Sequence, residues 1–251
     1  MRAWEKNFRQ VEPYTPGEQP NKAGMIKLNT NENPYPPAPG VRVALDAFAE
    51  GALRLYPDPK ASMLVDTLAE HYELNPDQVF VGVGSDDVLA VAYMTFFNSE
   101  KPIFFPDITY SFYPVWADLF RVPFETKPLK EDFAIDPRDY DAPNGGVIFP
   151  NPNAPTSRAE SLEMICDVLD HNQDVVVIID EAYIDYADVP SARALLDRYE
   201  NLLVVQTFSK SRSMAGMRIG FAMGQPSLIK AMNDVKYSFN SYTMNRPSLQ
   251  T

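Results

Sequence analysis

The sequence contains one cysteine and two histidines among its 251 residues. Cys166 has no partner in the chain, which excludes an internal disulfide, and its amphipathic context "LEMICDVLD" indicates a structural thiol. His71 and His171 lie apart, late in helical patterns, where an imidazole commonly faces solvent or caps the last turn. No metal site built on clustered histidine and cysteine is expected. Any catalysis must therefore rely on lysine, aspartate, tyrosine or a cofactor.

Long hydrophobic runs and an excess of positive charge are also missing. No apolar stretch approaches the roughly 18 residues of a membrane span, and the first residues, "MRAWEKNFRQVEPY", hold no apolar signal core. The formal net charge of -12 disfavours binding to nucleic acid or to an anionic membrane, both of which attract basic surfaces. We therefore expect a cytoplasmic protein that binds neither nucleic acid nor a membrane.

Short apolar runs that alternate with helical patterns fill most of the chain. After a Pro-, Asn- and Gly-rich arm, the patterns predict helices at 41–53 and 61–74, and again at 86–97, 111–120, 161–172 and 227–239. Between them lie the apolar runs "QVFVGVG", "KPIFF", "VPFETKPL", "GVIFP", "DVVVIID", "NLLVVQTF" and "MRIGFAMG". Several are continuous in Val, Ile and Phe, as in strands covered on both faces. The sequence predicts an α/β fold with a mostly parallel sheet.

The last residues, "NSYTMNRPSLQT", match no core element. We expect them to be irregular, and we expect the chain to be a fragment of a longer protein.

The segment "GVGSDD" runs from a predicted strand through Gly82 and Gly84 into Ser85, Asp86 and a helix. Glycines permit a tight turn, and the free N–H groups of the first helical turn form a natural anion site. An ordinary helix cap by Ser85 explains the same residues, so the segment alone leaves both interpretations open.

The segment "DVVVIIDEAYIDY" brings Asp180 to the end of a very apolar strand, with Tyr183 shortly after it. Ligands of open parallel sheets bind beyond the carboxyl ends of the strands, so this carboxylate is a candidate for facing a ligand. Beside a protonated aromatic nitrogen it would form an ion pair and hold that proton in place. Capping of the next turn by Asp180 and Glu181 is an equally good interpretation of the segment alone.

Two further loops follow predicted strands at the same edge. "FPNPNAPTSRA" projects Asn151 and Asn153 from a proline-fixed loop, where an amide could donate to a ring oxygen. "FPDITYSFYP" leaves Tyr110 between a strand and a helix, where its ring could stack on a flat ligand or pack into the core.

Lys210 follows the strand pattern "NLLVVQTF" and stands between Ser209 and Ser211, with Arg218 a little further on. Most lysines are solvated surface residues. Here the hydroxyls and the guanidinium could bind a phosphate, and a partly desolvated lysine beside another cation becomes a better amine nucleophile toward an aldehyde. These are the properties of a Schiff-base lysine.

Taken together, the motifs "TFSKSRSMAGMRIGF", "DEAYIDY", "NPNAPT", "GVGSDD" and "KLNTNENPY" resemble, in order and spacing, the fold-type I pyridoxal-phosphate aminotransferases. Among these aminotransferases, the histidinol-phosphate aminotransferase family is the most similar, because it also has segments like "VEPYTPG" and "LRLYPDP". The resemblance implies a three-layer sandwich with pyridoxal 5'-phosphate as cofactor. It also implies a division into an N-terminal arm with the start of a small domain at residues 1–45 and a cofactor-binding large domain at 46–251. The C-terminal small domain of this family, with its substrate-binding arginines, would be absent.

The resemblance also implies a role for each matched residue. Lys210 would bind the cofactor covalently and shuttle the substrate's proton, Asp180 would pair with the pyridinium nitrogen, and Asn153 and Tyr183 would bond to the ring's phenolic oxygen. Tyr110 would stack on the ring. The phosphate would be held by Ser85, Asp86, Ser209 and Arg218, and by Tyr56 reaching the cofactor of a neighbouring subunit in a homodimer. Tyr14, Asn31 and Glu32 would line the substrate pocket.

The resemblance implies transamination between L-histidinol phosphate and 2-oxoglutarate in histidine biosynthesis. The same motifs also fit an aromatic amino-acid aminotransferase or a lyase similar to threonine-phosphate decarboxylase. A chain that binds the cofactor without catalysis is the alternative of another class.

Overall fold

The structure, a computed structural model, describes residues 2–19 and 22–250. Seven short strands form one sheet: β1 (Val79–Gly82), β2 (Ile103–Pro106), β3 (Phe124–Lys127), β4 (Gly146–Pro150), β5 (Val177–Asp180), β6 (Leu202–Thr207) and β7 (Gly220–Gly224). Their order is β1-β7-β6-β5-β4-β2-β3. β7 pairs antiparallel with β1 and β6, and the other pairs are parallel. The predicted mostly parallel sheet is confirmed.

The helices are α1 (Pro39–Asp46), α2 (Ser62–Tyr72), α3 (Ser85–Phe96), α4 (Phe112–Phe120), α5 (Leu162–His171), α6 (Pro226–Phe239) and α7 (Arg246–Gln250). α2 to α6 cover the two faces of the sheet. One buried cluster joins the sheet to α2 and α5. A second joins the opposite face to α3, α4 and α6. These layers form the predicted three-layer sandwich.

The strands alternate between the two clusters, as β5 illustrates. Val177 and Ile179 pack in the cluster with α2 and α5, whereas Ile178 packs in the cluster with α3, α4 and α6. Successive side chains of a strand point to opposite faces, so a strand covered on both faces needs apolar residues at every position. This explains the continuous apolar run of the sequence.

The parallel strands β4, β5 and β6 end side by side at one edge. Pro150 pairs with Asp180, and Asp180 pairs with Val205. Loops that follow these strands therefore meet beyond the same edge, where doubly covered parallel sheets bind ligands.

The helix predicted at 41–53 is not continuous. α1 ends at Asp46, and a separate 3-10 turn spans Glu50–Arg54. Only Val41 of α1 is buried, and Gly51 is a poor helix former, so neither burial nor propensity extends the helix.

The C-terminal segment, predicted to be irregular, contains α7 and packs on the body of the protein. Met244 is buried with Val41, Met214 and Ile219. The Asn245 side chain accepts the backbone N–H of Ser248 at 2.9 Å, which caps the short helix. A helix this short has too few turns for hydrophobic periodicity to reveal it.

The residues that were expected to be non-catalytic lie outside the sheet edge. Cys166 is half-buried, and the exposed His171 has Nδ1 2.8 Å from the carbonyl oxygen of Asp167 in its own helix. Within residues 2–19 and 22–250 no helix is long and apolar enough to cross a membrane, and no metal-binding group of three His, Cys, Asp or Glu is found. The outer limits of the predicted domain division, Met1 and Thr251, lie outside the described residues.

Candidate active site

A cavity of about 220 Å³ opens where β4, β5 and β6 end beside the first turn of α3. Its lining residues are Thr30, Glu32, Ser85, Asp86, Tyr110, Pro150, Ala154, Asp180, Ala182, Tyr183, Thr207, Ser209, Lys210, Ala215 and Arg218. Most residues that the sequence analysis singled out are among them. The cavity is therefore the candidate active site.

Asp180 is a buried carboxylate in the wall of the cavity. It is 4% exposed, and the Tyr113 hydroxyl donates to Oδ2 at 3.0 Å while the Ala182 N–H donates to Oδ1 at 3.2 Å. Burial raises the pKa of Asp180 to about 6, and these two hydrogen bonds oppose the shift only in part. A cationic group in the cavity would restore full ionisation.

Lys210 lies in the loop after β6, beneath the N-terminal arm. Its Nζ is 3.4 Å from each of the carbonyl oxygens of Thr30 and Asn31, and 5.4 Å from the ring centroid of Tyr183. Asn31 donates its amide Nδ2 to the Tyr183 hydroxyl at 2.9 Å. The amine thus faces the same cavity as Asp180, between the arm and an aromatic ring.

Asn33 is a residue that the sequence analysis missed. Its Nδ2 donates to the carbonyl oxygens of Lys210 at 3.1 Å and Ser211 at 3.3 Å, so the arm holds the backbone of the lysine loop. Asn33 lies within "KLNTNENPY", but no sequence rule pairs an arm residue with a carbonyl so far along the chain.

The far end of the cavity is suited to an anion. Gly84 has φ of 87° and precedes α3, whose first N–H groups are free to bind an anion. Arg218 approaches from the other side, with Nη2 3.9 Å from Asp86 Oδ2 and 3.4 Å from the Val83 carbonyl oxygen. A Cβ on Gly84 would collide with the Arg218 guanidinium, and one on Gly220 with the backbone of Gly84 and Ser85. Two glycines therefore allow the helix terminus and the arginine to converge.

Hydroxyl groups of Thr207, Ser209 and Tyr110 complete the anion-binding end of the cavity. Thr207 donates its hydroxyl to Ser209 Oγ at 3.0 Å, and Tyr110 donates to Asp86 Oδ1 at 2.9 Å. Burial, and then the charge of Asp86, raise the pKa of Tyr110 well above its ordinary value, which keeps the hydroxyl protonated. The ring of Tyr110 lines the cavity as a fixed aromatic wall.

Four predicted residues do not line the cavity. Asn153 donates Nδ2 to the Ile108 carbonyl oxygen at 2.8 Å, and its buried Oδ1 has no partner among the described residues. Asn31 lies behind Tyr183, as described above. Tyr14 stacks on Phe112 at 4.2 Å between ring centroids. Tyr56 is 78% exposed and contacts the Tyr242 ring at 4.8 Å, in a different part of the surface.

Asn151 was predicted to extend from its loop with Asn153, where an amide could donate to a ligand. In the structure its side chain instead stabilises the loop itself. It is fully buried, its Oδ1 accepts the Glu160 N–H at 2.7 Å, and its Nδ2 donates to the Glu160 carbonyl oxygen at 3.2 Å. The pair closes the loop, because buried amides need both donors and acceptors satisfied.

The arrangement fits pyridoxal 5'-phosphate. A buried carboxylate of raised pKa suits a pyridinium nitrogen, and a helix N-terminus with serines and an arginine suits a phosphate. A lysine amine faces the same space. Asn153, next to the cavity residue Ala154, uses one N–H of its amide on the Ile108 carbonyl oxygen, so the second N–H of the same NH₂ group remains for a ligand.

Known proteins are similar to this chain in sequence and in fold. "Histidinol-phosphate aminotransferase 2" of Dechloromonas aromatica (strain RCB) is 54% identical over 249 residues, covering 98% of this chain and 70% of the relative. The structure of histidinol-phosphate aminotransferase from Sinorhizobium meliloti in complex with pyridoxal-5'-phosphate has a TM-score of 0.78 at 25% identity, covering 88% of this chain and 61% of that one.

A second solved structure agrees in fold. The histidinol-phosphate aminotransferase from Clostridium acetobutylicum has a TM-score of 0.76 at 22% identity, and covers 88% of this chain and 66% of that one. The chain thus spans about two thirds of the length of its relatives. Residues 23–250 match the family "Aminotransferase class I and II". The chain therefore belongs to the class I and II aminotransferases, enzymes that depend on pyridoxal 5'-phosphate.

Proposed function

We propose that the chain carries the cofactor-binding part of an enzyme that transfers the amino group of L-histidinol phosphate to 2-oxoglutarate. The products are imidazole acetol phosphate and glutamate, and the reaction belongs to histidine biosynthesis in the cytoplasm. The observation that carries the proposal is the convergence of Lys210, Asp180 and an anion-binding helix terminus on one cavity. Relatives named for this activity, at 54% identity over nearly the whole chain, support the choice of substrate.

Lys210 is the proposed catalytic base. Pyridoxal 5'-phosphate, when bound, supplies an electron sink for the charge left on the substrate's α carbon. The Nζ of Lys210 would take the proton from that carbon, because an amine that lines the same cavity can be held within reach of it. The carbonyl oxygens of Thr30 and Asn31, 3.4 Å away, support a role in orienting the amine when it is free.

Asp180 is proposed to keep a proton on the ring nitrogen. The Tyr113 hydroxyl and the Ala182 N–H fix its carboxylate, so its orientation precedes ligand binding. Asn153 and Tyr183 are proposed to donate hydrogen bonds to the phenolic oxygen of the ring. Tyr110 is proposed to stack on the ring face, and its hydrogen bond to Asp86 supports a fixed ring orientation.

The phosphate is proposed to bind to Ser209, to Arg218 and to the backbone N–H groups of Ser85 and Asp86. The dipole of helix α3 and the guanidinium of Arg218 both favour an anion at this position. In a homodimer, Tyr56 is proposed to reach the phosphate of the cofactor bound to the partner subunit. The Tyr56 side chain is 78% exposed and lies away from the cavity of its own chain, so it is available for this contact.

The arm is proposed to close the substrate side. Glu32 lines the cavity, and Asn31 contacts Tyr183 at 2.9 Å. Tyr14, stacked on Phe112, is proposed to form the outer wall. Residues 1–45 would thus act as an arm with the start of a small domain, and 46–251 as the large domain.

The test is an absorbance spectrum of the chain with pyridoxal 5'-phosphate, before and after addition of L-histidinol phosphate. We expect the visible band of the lysine-bound cofactor, and its loss with this donor but not with phosphothreonine or phenylalanine. Bleaching by another donor, or by none, would contradict the proposed substrate. Absence of the band would contradict the proposed role of Lys210.

A further inference from the structure

Glu181, the residue after Asp180, points away from the cavity. It is 1% exposed, and its carboxylate accepts the Ser191 hydroxyl at 2.6 Å, the Ala192 N–H at 2.6 Å and the Gln206 amide at 2.9 Å. Because successive residues at a strand end face opposite sides, Asp180 faces the cavity and Glu181 faces the layer of α2 and α5. The proposed reaction uses Asp180 and leaves this second buried carboxylate without a role.

The hydrogen bonds continue from Glu181 through two neutral side chains to an arginine. Tyr72, at the end of α2, donates its hydroxyl to Gln206 Oε1 at 2.8 Å. Arg212 donates Nη2 to the same hydroxyl oxygen at 2.7 Å. We call Arg212, Tyr72, Gln206 and Glu181 the back-side network.

The direction of every bond in the back-side network is fixed by its two ends. A guanidinium only donates and an ionised carboxylate only accepts, so when Glu181 is ionised the amide of Gln206 must turn its NH₂ to Glu181 and its oxygen to Tyr72. Burial raises the pKa of Tyr72, which keeps its hydroxyl protonated and able to donate. The network therefore has one arrangement, with a positive end and a negative end.

The positive end belongs to the loop that carries Lys210. The Arg212 guanidinium lies 4.6 Å from the ring centroid of Phe208, at the start of this loop. Within the loop, the Ser213 N–H donates to the Lys210 carbonyl oxygen at 3.1 Å and the Met214 N–H to the Phe208 carbonyl oxygen at 3.0 Å. The back-side network thus joins a loop with few backbone bonds to two buried strands.

The two ends also flank the two proposed cofactor ligands along the chain. Glu181 follows Asp180 directly, and Arg212 lies in the same short loop as Lys210. Gln206, in β6, connects the two ends through Tyr72. The relative position of strand end and loop is therefore set from the face opposite to the cavity.

We propose that Tyr72 is a positioning residue that, through the back-side network, holds the Lys210 loop in place relative to Asp180. The inference rests on the proposed roles of Lys210 and Asp180 in cofactor binding. Without the hydroxyl of Tyr72, the oxygen of the buried Gln206 and one N–H of the half-buried Arg212 lose their partners, and a buried acceptor left unpaired is costly. The loop would then open more often and its lysine would be less well aimed.

The variant that tests the proposal is Tyr72→Phe, with Tyr199→Phe as the matched control. Tyr199 is buried in the core cluster against which the half-buried Tyr72 packs, its hydroxyl donates to Asp170 Oδ1 at 2.7 Å, and it lies outside the lining of the cavity. Both variants therefore remove one hydrogen-bonded hydroxyl at the same core cluster. A general loss of stability would affect both of them alike.

Hydrogen exchange of the chain without cofactor is the first readout. In Tyr72→Phe we expect the amides of Ser213 and Met214 to exchange about tenfold faster, the size expected for loss of one buried hydrogen bond. In Tyr199→Phe they should exchange at the wild-type rate. Unchanged exchange in Tyr72→Phe, or equal acceleration in both variants, would overturn the proposal whether or not the cofactor binds.

The second readout is the cofactor itself, by absorbance. We expect the dissociation constant for pyridoxal 5'-phosphate to rise about tenfold in Tyr72→Phe and not in Tyr199→Phe. The pH midpoint of the visible band should also move in Tyr72→Phe alone, because that midpoint reports the surroundings of Lys210. A wild-type chain without any band would refute the proposed function, whereas a band identical in wild type and Tyr72→Phe would refute the positioning role.

An exchange of Gln206 and Glu181 provides a rescue. Gln206→Glu alone brings a second carboxylate against Glu181, and we expect weaker cofactor binding. The double variant Glu181→Gln with Gln206→Glu restores one carboxylate and one amide, still able to accept from Tyr72. Recovery of affinity in the double variant supports the network, and a double variant no better than Gln206→Glu contradicts it.

Discussion

Asp180 is buried without a cationic neighbour strong enough to offset its desolvation. Its pKa is about 6, against an ordinary value of 3.8, and burial is the largest cause. Glu181, on the opposite face, shares this property, with a pKa of about 7 that burial raises from 4.5. Two consecutive carboxyls thus bind protons more tightly in the folded chain than in the unfolded one.

The pH dependence of stability follows from this difference. Between pH 3.8 and about 6 the folded chain binds more protons at Asp180 than the unfolded chain does, so this group lowers the free energy of unfolding as the pH rises. We expect the free energy of unfolding to fall between about pH 4 and about pH 7 in wild type, and to fall by on the order of 2 kcal/mol less in Asp180→Asn. Urea denaturation of the cofactor-free chain at several pH values measures this fall. Asp234→Asn, at an exposed ion pair on α6, is the control and should parallel wild type.

Lys210 is tested by removing its amine. Lys210→Ala should abolish the visible band and turnover while pyridoxal 5'-phosphate still binds non-covalently, since Asp180, Ser209 and Arg218 remain. Spectra and equilibrium dialysis measure the two effects. Lys230→Ala, which removes an exposed lysine of α6, should keep both. Turnover by Lys210→Ala would rule out the assignment of the catalytic lysine.

At the residue level the sequence predicted which side chains meet beyond the strand ends better than it predicted their contacts. Asp180 and Lys210 follow strands whose ends meet, so their convergence follows from topology alone. Tyr113 could have been found from its place on the predicted helix at 111–120, three residues after Tyr110. Asn33 and the partners of Asn153 could not, because they depend on how the arm and the loops fold over the sheet edge.

Among the elements, the first turn of α3 depends on strand β7. Gly220 of β7 pairs with Gly82 of β1, and this brings it against the backbone of Gly84 and Ser85. The proposed phosphate site therefore requires two elements that are distant in sequence to approach closely. The absence of a side chain at Gly220 is what permits it.

Gly220→Ala should disturb this approach. A Cβ there meets backbone atoms, which cannot rotate away, so we expect a loss of roughly 1–3 kcal/mol of stability and weaker binding of pyridoxal 5'-phosphate. Thermal denaturation measures the loss of stability, and a cofactor titration measures the weaker binding. Gly216→Ala is the control, because no heavy atom lies within 4 Å of its added Cβ. Equal behaviour of the two variants would show that the close approach is unimportant.

Strands and long helices were predictable because burial on both faces and helical periodicity leave strong patterns. The break after Asp46 and the helix α7 were not. Each depends on tertiary packing of a short segment, Val41 in one case and Met244 in the other, and such contacts leave no periodic signal.

At the scale of the whole molecule, exposed large apolar side chains are found in the N-terminal third of the chain. Ile26, Leu28, Val43, Leu53 and Tyr56 are each more than half exposed. Exposed apolar patches commonly mark interaction surfaces. They support the proposal of a homodimer in which Tyr56 of one subunit reaches the cavity of the other.

The homodimer proposal predicts that Tyr56→Phe weakens binding of pyridoxal 5'-phosphate about tenfold, the effect of one lost hydrogen bond to a charged group. Tyr56 does not line the cavity of its own chain, so this loss requires a partner. A cofactor titration above and below the dimer dissociation constant, fixed by sedimentation, measures it. Tyr242→Phe, at the neighbouring exposed ring, should bind normally. A monomer at all concentrations would contradict the proposal.

The opposite orientation of Asp180 and Glu181 makes the protein sensitive to a slip of one residue in β5. A single deletion within the strand would bring Glu181 to the position of Asp180, and a single insertion would bring Asp180 to the position of Glu181. In the first case the cavity would receive a carboxylate longer by one methylene, and in the second case Gln206 would face a shorter one. A slip in one direction would thus damage the cavity and a slip in the other the scaffold, so the length of β5 is constrained as tightly as the identity of its last residue.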